Sequence, residues 1–141
     1  SNAEELGCRG ARTSTFKVNP NEAIAIDVTF GDGPDISGDE SSKLGSGAAI
    51  GISPALDKAV SQKLIAIAKE NDIPHALEVM GERTGTNADV IAITREGVKA
   101  VTVSIPLRNM HSDVEILNTS DITAVCDLLE KYILSGGVLG A

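Results

Sequence analysis

Four side chains in this sequence are of the kinds that hold a hard or borderline divalent metal: Glu4 and Glu5 side by side, Asp27 in the first apolar run, and His111 late in the chain. Asp27 is the most demanding of them. It stands in Ala23-Ile24-Ala25-Ile26-Asp27-Val28-Thr29-Phe30, an almost continuous apolar run behind Asn19-Pro20-Asn21, which reads as a strand buried on both faces. A carboxylate set into such a strand loses its hydration, which costs roughly several kcal/mol unless a cation or a set of donors replaces the water. Asp27 therefore meets a cation, marks the solvated end of its strand, or caps a neighbouring helix. For Glu4 and Glu5 taken alone, a solvated acidic terminus is the plainer reading. Adjacent residues on extended backbone point in opposite directions, so the two cannot do the same job.

The elements that must position these groups follow from hydrophobic period and turn chemistry. At 141 residues the chain has room for one domain with one core. A loop around Gly7 and Gly10 leads into a short helix, and the Asp27 strand is followed by a Gly/Asp/Ser-rich loop from Gly31 to Gly47. Ala48 to Ile52 reads as a strand. Ser53-Pro54 reads as N-cap and first helical residue, with Leu56, Val60, Leu64 and Ile67 on one face of a helix that runs to about Asn71. His75 to Met80 is a second short strand, Gly81 to Asn87 a loop, and Ala88 to about Arg95 a short helix. Val98 to Ile105 is a strong strand closed by Pro106, and Pro106 to Glu115 a polar loop carrying His111. A helix from about Ser120 to Leu134 ends at Gly136-Gly137. Strands alternating with helices predict an α/β layered sheet, with the acids and the histidine on loops or strand ends, where such sheets build sites.

Composition excludes some partners. With 12 basic against 20 acidic residues, a net charge of −8, and no dense basic stretch, nucleic acid and anionic membrane are disfavoured as partners. Aromatic residues make up 2% of the chain with no Trp, so stacking platforms for single-stranded nucleic acid or sugars are scarce. Cys8 and Cys126 lack CxxC spacing and read as free thiols of a reducing cytoplasm. No apolar run reaches the roughly 18 residues of a membrane-spanning helix. Ser1-Asn2-Ala3 reads as the remnant of a cleaved expression tag, leaving residues 4–141 as the natural segment.

Taken together, EELGCRGA, AIAIDVTF, the loop to KLGSG, GERTGTNAD and IPLRNMHSDVE have the order and approximate spacing of one family. The chain resembles the C-terminal portion of the catalytic domain of the co-catalytic dinuclear metalloaminopeptidases. These include glutamyl, deblocking and TET-type aminopeptidases, and some relatives carry a cellulase or endoglucanase label. The resemblance runs from Glu4 to about Leu134. It implies a layered α/β/α fold with a mixed, largely buried sheet whose N-terminal half is missing. It also implies that Glu4 is the general acid/base carboxylate, Glu5 a ligand of one metal, Asp27 a ligand of the other, and His111 the second protein ligand on the Glu5 side. The implied cofactors are two divalent ions, zinc or cobalt. The implied partners are a peptide substrate and further copies of the chain.

Departures from the family pattern matter as much. The family's His-x-Asp histidine and bridging aspartate have no counterpart here, His75 reads as a structural residue at a strand start, and Asn87 stands where many relatives carry an aspartate. The family's small inserted domain is also absent. The expectation is a partial metallopeptidase domain, inactive by itself and unable to hold a stable metal pair. Two other readings stay open: a glycoside hydrolase, suggested by the label on some relatives, and a truncated non-catalytic remnant that acts through self-association.

Overall fold

The two longest apolar runs of the chain pair with each other, and the rest of the fold is hung on that pair. The computed structural model describes residues 2–34, 36 and 41–140, so residues 35 and 37–40 of the expected Gly31 to Gly47 loop lie outside the described residues. In chain order the elements are α1 (Arg9–Val18), β1 (Glu22–Phe30), β2 (Ala48–Ile52), α2 (Lys58–Glu70), β3 (His75–Val79), α3 (Ala88–Ala92), β4 (Lys99–Arg108), β5 (Ile116–Leu117) and α4 (Thr119–Leu134). The sheet order is β1-β4-β2-β3, with β5 paired to β4. β1 runs parallel to β4 and β2 parallel to β3, while β2 is antiparallel to β4, so the sheet is mixed. The fold class is α/β, as expected.

Two pairs of helices cover the sheet. α2 and α4 pack on each other and on β2 and β4, whereas α1 packs on α3, and α3 on β1 and β4. The centre of the core is Ile50, Val60, Leu64, Val101, Val103 and Leu128, all fully buried. Each such side chain contributes about 1.5–3 kcal/mol by leaving water. Two glycines make the close approaches possible. Gly47 has φ +92°, and a Cβ there would lie 1.9 Å from the Pro74 carbonyl oxygen. At Gly51 a Cβ would lie 2.1 Å from Thr102 Oγ1, so the β2 backbone passes β4 at a distance only glycine permits.

The structure corrects the sequence reading at four places. First, β1 is an edge strand: among the described residues its only strand neighbour is β4, and Ile26 and Phe30 are 55% and 48% exposed. A two-sided apolar run marks a strand that has something to bury on both faces, and this chain covers only one of them.

Second, α2 begins at Lys58, not at Pro54. Ser53-Pro54 makes a turn, in which Ser53 accepts from Ala55 N–H through Oγ (3.1 Å) and from Leu56 N–H through its carbonyl (3.1 Å). Asp57 is the helix cap, its Oδ1 accepting from the Ala59 and Val60 N–H groups at 2.9 and 3.0 Å, and its own N–H donates to the Ala100 carbonyl of β4. Third, β4 runs through Pro106 to Arg108. Leu107 turns its carbonyl to β1 by accepting from Gly31 N–H (2.7 Å), so alternation turns Pro106 the other way. There it falls between the last β2 pair at Ser104 and the first β5 pair at Leu107, where no ladder bond needs its missing N–H. Fourth, the segment read as loop up to Glu115 is followed by β5, which pairs back onto β4.

Candidate active site

The first turn of the chain places two carboxylates back to back. Gly7 and Cys8 N–H both donate to the Glu4 carbonyl (3.1 and 2.8 Å), closing a turn ahead of α1 in which Cys8 has φ 53°. The Glu4 side chain is half-buried, and its Oε1 accepts from the Cys8 thiol at 3.5 Å. Glu5 is exposed, and its Oε1 lies 3.1 Å from His111 Nε2; the two carboxylates part in a turn, not by the alternation of extended backbone that the sequence suggested. Two ligands at about 2.0–2.1 Å from one tetrahedral ion are about 3.3 Å apart, so this carboxylate–imidazole pair has the spacing of two donors to a single metal.

His111 reaches Glu5 from the segment between β4 and β5, which is tied internally. Asn109 and His111 both have positive φ, 59° and 64°, and each backbone kink is held by a local bond. His111 N–H donates to Glu115 Oε1 (2.7 Å), Ser112 N–H to the Asn109 carbonyl (3.1 Å), and Asn109 Nδ2 to the Val114 carbonyl (3.3 Å).

Asp27 sits half-buried in β1, opposite Ser104 of β4, and its Oδ1 accepts from Val28 N–H at 2.9 Å. Its charge acts on the Glu78 carboxyl and on the Cys8 thiol. Burial first, and then the hydrogen bond to Glu4 and the charges of Glu4, Asp89 and Asp27, push the Cys8 thiol above its ordinary value. Asp27 and Glu4 therefore act on one thiol, although Asp27 is in neither hydrogen bond nor ion pair with Glu5 or His111. Among the described residues, no three His, Cys, Asp or Glu side chains come together as a ligand set.

Sequence reasoning missed Glu78 of β3. Its side chain crosses the sheet over Gly51 to accept from Ser104 Oγ (2.7 Å), and Thr29 of β1 also hydrogen-bonds it. Burial, and to a smaller extent the Asp27 charge, raise its carboxyl above the usual range, against the two hydroxyls, which lower it. The only signal was a carboxylate in a short apolar strand, HALEV, beside the glycine of AAIGI. Asp89 was missed as well. It organises the Arg83 to Asn87 loop by accepting from Thr84 N–H and Oγ1 (3.0 and 2.8 Å) and Gly85 N–H (3.3 Å). Gly7, Cys8, Arg83, Thr86 and Asp89 line a cleft of about 640 Å³ next to this group. His75 bonds the Ile73 carbonyl through Nδ1 at 2.9 Å.

The raised Glu78 carboxyl carries a pH signature. With a folded value above the unfolded one, the native state binds the proton more tightly. The group therefore favours folding at acid pH, and that contribution is lost as pH rises from the ordinary carboxylate range through the raised value. Glu78→Gln keeps an acceptor for Ser104 and removes the charge. Its melting temperature is expected to lie above that of the parent at neutral pH, with the difference shrinking as pH falls through the raised value, a change complete by about 4.5, which a series of thermal melts reads directly.

Residues 1–128 match the profile of the M42 glutamyl aminopeptidase family. The chain belongs to that family. It is 40% identical over 130 residues to the lysyl aminopeptidase of Pyrococcus furiosus, a match covering 92% of this chain and 38% of the relative. Among solved structures, an aminopeptidase from the archaeon Desulfurococcus kamchatkensis superposes with a TM-score of 0.84 at 35% identity, over 92% of this chain and 38% of that one. The TET1 peptidase of Pyrococcus horikoshii, described as assembling into a tetrahedron or a large octahedral shell, has a TM-score of 0.70 at 28% identity, over 90% and 37% of the two chains. The chain thus spans a little over a third of the length of the M42 relatives it matches.

Proposed function

We propose that this chain is part of a metal-dependent aminopeptidase that releases N-terminal residues from peptides, with Glu4 as general base, Glu5 and His111 as ligands of one divalent ion and Asp27 as ligand of a second. The 3.1 Å approach of Glu5 to His111 carries the reading, because two exposed side chains more than a hundred positions apart are brought to metal-donor spacing by a turn and a tied loop. Mixed oxygen and nitrogen donors without thiolate suit zinc, cobalt or manganese. When bound, such a pair of ions acidifies water and polarises a peptide carbonyl. The remaining ligands come from the part of the protein that this chain does not include, so the chain alone is inactive.

The residues present divide the work. Glu4, half-buried and oriented by the Cys8 thiol, takes the proton of the attacking water and passes it to the departing amine. The charge of Asp27 acts on the Glu78 carboxyl, so a cation bound at Asp27 relieves repulsion as well as gaining a ligand. Glu5 holds His111 on its own side of the site. By its likeness to the TET1 peptidase the protein assembles as a homo-oligomer, and its free thiols suit the cytoplasm. No helix among the described residues is long and apolar enough to cross a membrane.

Glycoside hydrolysis has less support. It requires two carboxyls flanking a sugar ring, commonly with aromatic stacking, and the one tyrosine, Tyr132, is buried against Glu22. The deciding assay uses the parent protein on an amino-acid p-nitroanilide and on cellulose, with and without a chelator. Chelator-sensitive release from the anilide with none from cellulose is expected. Chelator-insensitive release, or cellulose hydrolysis, overturns the proposal.

A further inference from the structure

Glu78 is a carboxylate for which its own strand gives no reason. It stands on β3 opposite Gly51 of β2, half-buried, and reaches across β2 to the fully buried Ser104 of β4. Strands two apart in a sheet lie about 9.5 Å from each other, so the span closes because β2 presents Ala49 and Gly51 on that side, and neither fills the gap. Ser104 Oγ donates to Glu78 Oε2 at 2.7 Å, and the hydroxyl of Thr29, itself buried, bonds the same carboxyl. Two hydroxyls do not offset the burial, since the carboxyl stays above its usual range. An apolar residue of similar size would avoid that penalty altogether.

What the carboxylate does is visible at Asp27. In the ladder of β1 with β4, Asp27 lies directly beside Ser104, and Thr29, two residues on, shares its face of β1. These two hydroxyls flank the Asp27 carboxylate, each has a single proton, and both are engaged by Glu78 instead, while Asp27 Oδ1 accepts from the Val28 N–H. We infer that Glu78 is a positioning residue for Asp27: by engaging the Ser104 and Thr29 hydroxyls it keeps their protons off the Asp27 carboxylate and leaves that carboxylate for a divalent cation. This rests on the reading of Asp27 as a metal ligand. A hydroxyl that donates to a carboxylate stabilises its charge and makes it a poorer donor to a cation, and its proton stands where the cation would approach. A glutamate suits the role because an ionised carboxylate only accepts, with two oxygens for two hydroxyls, whereas a glutamine has one acceptor oxygen and two N–H donors.

Cobalt(II) titration of the chelator-stripped parent protein, followed by the visible absorption of the bound ion and by metal analysis, tests it. Glu78→Met, close in size and without a carboxylate, is expected to weaken one of the two cobalt equivalents by about 10- to 100-fold and to leave the other unchanged. Adding Ser104→Ala removes the released hydroxyl and is expected to restore most of that affinity. Loss of the Glu78 charge by itself would not be relieved by Ser104→Ala, so an unrelieved loss overturns the inference, as does Glu78→Met binding both ions like the parent. Should Glu78→Met fail to fold, Glu78→Gln takes its place: its one acceptor oxygen predicts a smaller loss at the same equivalent, and unchanged binding of both ions overturns the inference. Asp27→Asn separates the two readings. If it keeps both equivalents, Asp27 is not a ligand and the catalytic reading falls; if it loses one while the Glu78 variants lose none, only the role of Glu78 falls.

Discussion

Glu4→Gln in the parent enzyme lowers turnover by about 10²–10⁴ while bound metal stays nearly unchanged, whereas Asp27→Asn and His111→Ala lose metal. The contrast follows from where the side chains point. Glu4 accepts from the Cys8 thiol and is not one of the two groups that meet at the Glu5–His111 pair, so amidation removes a proton acceptor and leaves that donor pair intact. His111→Ala deletes one of the two donors that meet at 3.1 Å, and Asp27→Asn removes the formal charge of a proposed ligand. Metal analysis beside a turnover assay on each variant decides the roles. Equal metal loss in all three makes Glu4 a ligand or a structural group and removes the proposed base.

Asp121→Ala is expected to destabilise the fold by about 2–4 kcal/mol, because it leaves two backbone donors without their acceptor. Asp121, in the first turn of α4, is fully buried, and its two oxygens accept from Gly45 and Gly47 N–H at 2.8 Å each. The segment between β1 and β2 is thereby fastened to α4. No rearrangement replaces the clamp cheaply, since Gly47 is held at φ +92° against the Pro74 carbonyl. A fall in melting temperature on the order of 10 °C is expected, and Asp121→Asn, which keeps one acceptor oxygen, is expected to lose about half as much. A melting temperature within a degree or two of the parent for Asp121→Ala would mean that water satisfies both N–H groups and that the clamp is not structural.

What was legible in the sequence depended on the range of the interaction that decides each feature. β2 and β3 fall where the apolar runs AAIGI and HALEV predict, because alternation and flanking turn residues are local signals. The α2 start was misplaced because Ser53-Pro54 and Asp57 are both good initiators, and what selects Asp57 is a bond from its backbone to Ala100, far along the chain. Pro106 did not stop β4, since whether a missing N–H matters depends on which neighbour it would have faced. The edge position of β1 followed from the family resemblance, whose N-terminal half is missing, and not from the residues themselves: a strand awaiting a neighbour and a strand that has one carry the same residues. Within the site, the meeting of Glu5 with His111 was anticipated through family resemblance. Glu78 was not, because its partners Ser104 and Thr29 lie on other strands, and only the sheet order brings them together.

The pairing of β1 with β4 also sets the order of events when the chain is made. Glu22 has its partner in Lys99 and Phe30 in Leu107, with most of the chain between them. As the protein emerges from the ribosome, β2, α2 and β3 can close on each other early, but the isoleucine-rich β1 must wait until Arg108 has been synthesised. Within this chain, the β1–β4 ladder is therefore a closure of high sequence separation, the kind of contact that slows folding.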